Sequence, residues 1–162
     1  ELDCDDDDPD RFPGNRELCN GTDDDCDDVI DEARTCPCTR IEAFGDVYLF
    51  CNSPQPWPTA RAQCATWNYH LLTVDDEAED AFADEEVRNI DSLTRWWMGF
   101  NDRGTEGIWE WEDGTSVGYT NWERAEPNDQ GGEDCGQLNF FGDGTWNDQA
   151  CTIRYPYVCE LD

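Results

Sequence analysis

The sequence predicts an α+β domain made of two helices, small antiparallel sheets and a long irregular loop region, with a small cysteine-rich module in front of it. Three observations carry this expectation. Two helix signals lie among short β-rich runs, a stretch rich in Gly, Asp and Asn runs from residue 101 to 132, and ten cysteines occur in only 162 residues.

The chain divides near residue 36. Residues 1–35 hold fifteen acidic residues against three Arg, with Leu2, Phe12, Leu18, Val29 and Ile30 as almost their whole apolar content. Such a segment cannot bury enough surface to fold on hydrophobicity alone. Residues 36–162 are richer. Asp46 to Cys51 reads as a strand from its β-branched and aromatic content. Pro58 to Trp67 reads as a helix, with Pro in its opening turn and Ala60, Ala62 and Cys64 facing inward. A second helix is expected to be capped by Asp75 and to run through Glu77, Glu79 and Phe82 toward Val87, its acidic first turn favoured by the helix dipole. Strands are expected at Trp96–Phe100, Gly136–Phe141 and Ile153–Glu160. The lone histidine, His70, precedes Leu71-Leu72 at the start of a strand and reads as structural. A loop as long as 101–132 inside a compact domain is usually functional or disordered, and oxygen ligands for a metal would give it a reason to be ordered.

Composition narrows the function classes. A formal net charge of −30 repels nucleic acid and anionic membrane surfaces, so neither is expected as a partner. All ten basic residues are Arg. The carboxylate excess fits both a hydrated surface suited to a salty environment and an abundance of metal ligands. An even number of cysteines in a short chain argues for disulfides and an oxidising compartment. No apolar run approaches the ~18–20 residues that a membrane helix needs. The chain begins at Glu1 without a signal segment, and we read it as the mature part of an exported protein, secreted or at the cell surface.

The chemistry concentrates in Glu126-Pro127-Asn128, Glu133 and Asn147-Asp148. These residues offer carboxylates and amide carbonyls with no His or Cys, a donor set for calcium rather than for zinc or copper. Each Asn also keeps an NH2 donor and each carboxylate keeps spare acceptor capacity, so a vicinal diol on the metal could exchange hydrogen bonds with the same side chains. An X-Pro bond is where a cis peptide costs least, and a cis Glu126-Pro127 bond would turn its flanking side chains toward one ion. The alternative is an ordinary polar turn.

The segment from Cys38 to Cys159 resembles a C-type lectin-like domain along its whole length. Trp57, Ala60 and Cys64 match the family's first helix and Trp97-Met98-Gly99-Phe100 its Trp-Ile-Gly-Leu strand. Asn121-Trp122, Glu126-Pro127-Asn128, Glu133-Asp134-Cys135, Trp146-Asn147-Asp148, Cys151 and Tyr157-Val158-Cys159-Glu160 follow in family order. The resemblance implies a principal calcium and sugar site at Glu126, Asn128, Glu133, Asn147 and Asp148, and an auxiliary, collectin-like calcium site at Asp102, Glu106, Asp129 and Asp134. It implies a lectin, not an enzyme, that binds glycans on cell surfaces or polysaccharides. The order Glu-Pro-Asn goes with mannose, glucose, N-acetylglucosamine or fucose, whose 3- and 4-hydroxyls are equatorial. Galactose-type specificity, or a calcium-stabilised module that binds a protein, are the alternatives. The resemblance further implies the disulfides Cys64–Cys159 and Cys135–Cys151, with Cys38–Cys51 as an amino-terminal staple. Cys4–Cys19 and Cys26–Cys36 are then the simplest pairing of the remainder.

In the amino-terminal segment, Asp3, Asp5 and Asp7, and again Asp23, Asp25 and Asp27, fall at alternate positions, the spacing of the first ligands of an EF-hand loop. Val29, Asp31 and Glu32 follow. The segment resembles the Asp/Cys-rich MopE-like repeat of exported bacterial proteins, which implies a bacterial source and one or two further calcium ions. It departs from that pattern at Asp28, where a Gly would ease the turn. A disordered acidic tail is the competing reading.

Eight Trp invite sugar stacking, but Trp57, Trp97, Trp109, Trp122 and Trp146 match core positions of the family, and packing is the expectation. Glu126 and Glu133 could act as a glycosidase pair, yet carboxylates held by a metal make poor general acids.

Overall fold

A computed structural model describes residues 11–15, 17, 19, 22–29, 38–138 and 143–162. In chain order the elements are β1 (Cys38–Ala43), β2 (Asp46–Pro56), α1 (Trp57–Thr66), β3 (His70–Leu71), α2 (Glu77–Asp91), β4 (Trp96–Asn101), β5 (Glu110–Trp111), β6 (Cys135–Leu138), β7 (Asn147–Gln149) and β8 (Arg154–Leu161). The strands form one sheet in the order β1-β2-β8-β4-β6-β7, with β3 added to β8 and β5 to β4. Every pairing is antiparallel except β4 with β8, which is parallel at Trp97 opposite Tyr157. The expected α+β class is therefore realised, with one mixed sheet in place of several small ones.

Local chemistry explains where the elements start and stop. The β1–β2 hairpin turns at Phe44 and Gly45, both at positive φ. Helix α1 opens with Pro58 in its first turn and buries Trp57, Ala60 and Cys64. Helix α2 is capped by Asp76 rather than Asp75, because the Asp76 carboxylate accepts from the amides of Ala78 and Glu79. The Asp75 amide donates instead to Glu79 Oε2 at 2.7 Å. The helix also outruns the expected end at Val87 and reaches Asp91, whose carboxylate accepts from Leu93 N and Thr94 Oγ1 and closes it. The strand expected to end at Cys51 continues to Pro56 through an irregularity between Cys51 and Gln55. The strand expected over Gly136–Phe141 is described as Cys135–Leu138, its remainder lying outside the described residues.

Hydrophobic clusters cover both faces of the sheet. One gathers Leu49, Trp57, Ala60, Cys64, Leu71, Trp97, Tyr157 and Cys159 under α1. The other gathers Tyr48, Phe50, Leu72, Val87, Met98, Phe100, Trp111 and Trp146 under α2. Two of the buried indoles meet carbonyls, Trp57 Nε1 donating to Met98 O at 2.8 Å and Trp97 Nε1 to Gln55 O at 2.9 Å, while Nε1 of Trp96 and of Trp111 has no hydrogen-bond partner. Gly99 is required where it stands, since a Cβ would lie 2.8 Å from Leu71 O. Disulfides Cys38–Cys51, Cys64–Cys159 and Cys135–Cys151 are all formed. Cys19 and Cys26 are also disulfide-bonded, while the expected partners Cys4 and Cys36 lie outside the described residues. Buried Cys19 belongs to the same cluster as Leu49 and Cys51, which ties the amino-terminal segment to the domain at that point.

The loop region is anchored to α2 by one carboxylate. Asp80, buried, accepts from Trp146 Nε1 at 2.7 Å, Asn121 Nδ2 at 2.7 Å and Tyr119 Oη at 3.0 Å. Replacing Asp80 by Ala strands these donors, and we expect a loss of about 3–5 kcal/mol in urea unfolding. A loss below about 1 kcal/mol, the net worth of one ordinary hydrogen bond, would remove Asp80 as the anchor.

Candidate functional site

The long loop is held at both ends. Asp102 N donates to Asp134 O at 3.1 Å at its base, and Cys135–Cys151 closes its far side. Within it, Trp122 bridges Trp146, and Glu123 N donates to Trp146 O at 2.9 Å. Strand β7 pairs with β6 so that Asp148 faces Gly136 and Asn147 faces Gln137. A rigid strand thus delivers Asn147-Asp148 to a loop that carries Glu126, Asn128 and Glu133.

These side chains come together. The Glu126-Pro127 peptide is cis, and Asn128 Nδ2 donates to Glu126 Oε2. Asn128 Oδ1 accepts from Gln130 N at 2.8 Å, and Glu133 Oε2 accepts from the same amide at 3.2 Å. Asp129 N donates to Asp148 Oδ2 at 2.7 Å, while Asp129 Oδ1 accepts from Glu133 N at 2.9 Å. Asn147 Nδ2 donates to the backbone oxygen of Asp148 and to Gln137 Oε1 at 3.3 Å.

Asp148 is fully buried, at 0 % exposure, and its Oδ1 has no hydrogen-bond partner. A buried carboxylate oxygen in that state costs free energy unless a cation or proton meets it. Its neighbours feel the charge. Desolvation first, then the hydrogen bond that a protonated Glu126 can give to Asp148 and the Asp148 charge, push Glu126 up to about 7. Glu133 is raised by desolvation and then by Asp148.

A second acidic group adjoins the first. Carboxylate oxygens of Asp102, Glu106 and Asp134 lie within 4.8 Å of one another. Asp102 is 2 % exposed with Oδ1 unpartnered, while its Oδ2 accepts from Gly107 N at 2.8 Å. Partial desolvation, then the charges of Asp102 and Asp129, raise Glu106. Asp129 is bonded to Asp148 and Glu133 of the first group; it is not among the close oxygens of the second, although its charge reaches Glu106.

In the amino-terminal segment, Glu17, Asp23 and Asp25 form a further group within 4.8 Å. Glu17 is a residue that the sequence reading did not single out as a ligand; it is buried and accepts from Asp24 N and Asp25 N. Asp23 accepts from Asp27 N and Asp28 N, Asp25 Oδ1 also accepts from Asp27 N, and Asp27 Oδ1 accepts from Val29 N. Asp28 adopts the positive φ of 70° itself, a conformation that Asp enters more readily than most residues. Its departure from Gly therefore does not prevent the turn. Asp3, Asp5, Asp7, Asp31 and Glu32 lie outside the described residues.

Tryptophan serves packing, as expected. Trp57, Trp96, Trp97, Trp111 and Trp146 are almost wholly buried, and Trp109 and Trp122 pack partly buried against the α2-side cluster.

The raised carboxylates set a pH dependence for metal-free protein. Glu126, at about 7 against an ordinary 4.5, and Glu160, raised to about 9 chiefly by burial, each hold a proton in the folded chain that the unfolded chain has lost. Stability then falls as pH rises from about 4.5 toward 9. Asp91 and Asp143, lowered by hydrogen bonds from Thr94 and Thr145, and Asp113, lowered by Thr115 against its desolvation, act below 3.8 and leave this window alone. In excess chelator, the melting temperature is expected to be higher at pH 5 than at pH 8, values that bracket the usual range of maximal stability. The reverse order would contradict the crowded-carboxylate geometry.

Comparison with known proteins agrees with this architecture. The family model "Lectin C-type domain" matches residues 53–161, and the model described as "Putative metal-binding motif" (MopE) matches residues 3–32. The chain is 35 % identical to asialoglycoprotein receptor 1 of Rattus norvegicus over 135 residues, 78 % of this chain and 45 % of that protein. It is 38 % identical to the hepatic lectin of Gallus gallus over 119 residues, 72 % of this chain and 55 % of that protein. The chain thus spans about half the length of these curated relatives. The carbohydrate-recognition domain of cow CD23, solved in the presence of a GlcNAc2Man3 oligosaccharide, superposes with a TM-score of 0.69 at 30 % identity, covering 78 % of this chain and 95 % of that one. These relatives are animal proteins, so the expectation of a bacterial source gains no support from them. Calcium is typical of the family. By its family match, its relatives and its fold, this chain belongs to the C-type lectin domain family.

Proposed function

We propose that residues 36–162 form a calcium-dependent carbohydrate-recognition module and that Glu126, Asn128, Glu133, Asn147 and Asp148 hold both the ion and the sugar. The observation that carries this reading is the fully buried Asp148, whose Oδ1 lacks a partner beside Glu126 and Glu133. An all-oxygen donor set around an orphaned buried carboxylate fits calcium. When bound, calcium supplies positive charge and open coordination positions for vicinal hydroxyls. Asp102, Glu106 and Asp134 fit an auxiliary ion by the same reasoning, with Asp102 Oδ1 as the orphaned oxygen, and Asp129, which lies outside that close group but whose charge reaches Glu106, is proposed as its fourth member. Glu17, Asp23 and Asp25 are the amino-terminal candidates.

The sugar class follows from the donor order. Asn128 presents an amide donor beside the Glu126 acceptor, which matches adjacent equatorial hydroxyls of the mannose, glucose, N-acetylglucosamine or fucose type. The relatives do not decide between sugars, since one is a receptor named for asialoglycoproteins and a solved neighbour was crystallised with a GlcNAc2Man3 oligosaccharide. A one-sugar site buries little surface and binds weakly, so useful avidity depends on several copies acting on one ligand-bearing surface. Disulfides support an oxidising, extracellular setting. No helix among the described residues is long and apolar enough to cross a membrane.

A glycan array read in calcium and again in chelator tests this function. Mannose-type signals present only in calcium are expected. An array silent in both conditions would favour a module that binds a protein surface. In the double variant Glu126→Gln with Asn128→Asp, the donor and acceptor exchange places, and mannose-type binding should fall by at least roughly tenfold, about 1.4 kcal/mol, while galactose-type signals rise. Unchanged specificity would sink the assignment of these two residues.

A further inference from the structure

The lone histidine lies outside the loop site and has an unusual environment. In the β3–β8 pairing, His70 stands directly opposite Glu160, and Asp162 follows two residues later, just past the end of β8. Cross-strand pairing puts His70 beside Glu160, and the chain leaving β8 brings Asp162 to the same place. Tyr48, opposite Glu160 on β2, extends the same row. One ligand atom from each of His70, Glu160 and Asp162 lies within 4.8 Å of the other two.

The imidazole is oriented by the backbone. His70 Nδ1 lies 2.8 Å from Leu71 O, and a carbonyl can only accept, so Nδ1 carries the proton. In the neutral ring that leaves Nε2 as a lone pair, 3.3 Å from Asp162 Oδ1. Two acceptors cannot face each other at that distance without something positive between or on them. Either Nε2 takes a second proton or a cation fills the gap.

The surroundings favour a cation. Glu160 is 4 % exposed; its Oε2 accepts from Thr73 N at 2.8 Å, and its carboxyl also meets that of Glu79, with which and Asp46 it forms a neighbouring acidic group, so an ion would take the place of the proton those carboxyls share. Burial and then the charges of Glu79 and Asp162 press on it. Thr73 is itself 5 % exposed, and its hydroxyl has no partner. Glu79 is already committed, accepting from Tyr48 Oη at 2.5 Å and from Asp75 N. A backbone-oriented imidazole with two carboxylates is an N/O donor set of the kind that zinc and its neighbours prefer, with the Nδ1–H···O=C bond fixing the ligand tautomer. The ring is 20 % exposed and Asp162 is 70 % exposed, so an ion can enter and the Asp162 side chain can adjust to it.

We propose that His70, Glu160 and Asp162 form a binding site for a borderline divalent cation of the zinc class, separate from the calcium-type loop. The ion would clip β3 to the end of β8, where the last strand is held by cross-strand pairing and by Cys64–Cys159.

Because His70 is the chain's sole histidine, its ring nitrogens can be followed by long-range 1H–15N NMR without ambiguity. Zinc chloride is titrated into the chain at neutral pH with calcium in excess, so that all-oxygen sites are already filled. Expected are a shift of the Nε2 resonance that saturates at a single equivalent, Nδ1 remaining protonated, and loss of that tight equivalent in calorimetry of His70→Ala. Asp162→Asn, exposed and neutral to folding, should weaken binding by roughly tenfold or more. Three results would overturn the proposal. They are an Nε2 that stays unshifted, an imidazolium paired to Asp162 that zinc does not displace, and equal zinc affinity in His70→Ala.

Discussion

Asp148 is the constraint around which the loop is organised. Its carboxylate is carried by a three-residue strand, β7, locked to β6 and flanked by the Cys135–Cys151 bridge, so it cannot retreat from the loop packed over it. One of its oxygens is satisfied by Asp129 N, and the other is not. Glu126 and Glu133 are brought against the same charge and become harder to ionise. Folding stores like charges at one place because β-pairing and a disulfide leave them nowhere else to go. A cation is the natural complement to such an arrangement, and a protonated carboxylate is its substitute when none is bound.

The remainder of the fold works to keep that place rigid. Asp80 on α2 accepts from Trp146, Asn121 and Tyr119 and so pins both limbs of the loop to a helix on the α2 side of the sheet. Trp146 precedes Asn147-Asp148 directly, and its ring packs against those of Phe100, Trp111, Tyr119 and Trp122. The proposed ligand residues are thus one step along the chain from core residues. Binding groups set on a strand that is itself part of the core lose little entropy when a small ligand arrives, which matters for a site that buries so little surface.

Much of this was legible in the sequence because the relevant signals are local. Glu126-Pro127-Asn128, Glu133 and Asn147-Asp148 announce oxygen chemistry by residue type alone, and the spaced Trp, Gly and Cys positions announce the domain. The helix boundaries were less legible. Asp75 and Asp76 are equivalent as caps on paper, and the choice between them depends on Glu79 reaching back to Asp75 N. Strands β3, β5 and β7 are too short to carry a periodic pattern, since only pairing to longer neighbours makes them strands. Glu17 looked like one acid among many, and its role emerged only from burial beneath the Asp24 and Asp25 amides. The row containing His70, Glu160 and Asp162 joins residues about ninety positions apart, a register that no local signal encodes.

If one ion serves loop and sugar together, linkage exposes it directly. Calcium should be titrated calorimetrically into metal-free chain, with and without saturating methyl mannoside. If the sugar binds through the ion, it must tighten calcium binding by the same factor by which calcium tightens the sugar. Calcium affinity that rises in the presence of the mannoside is the predicted result. Calcium affinity that is identical with and without sugar, or the absence of calcium uptake, would contradict the account.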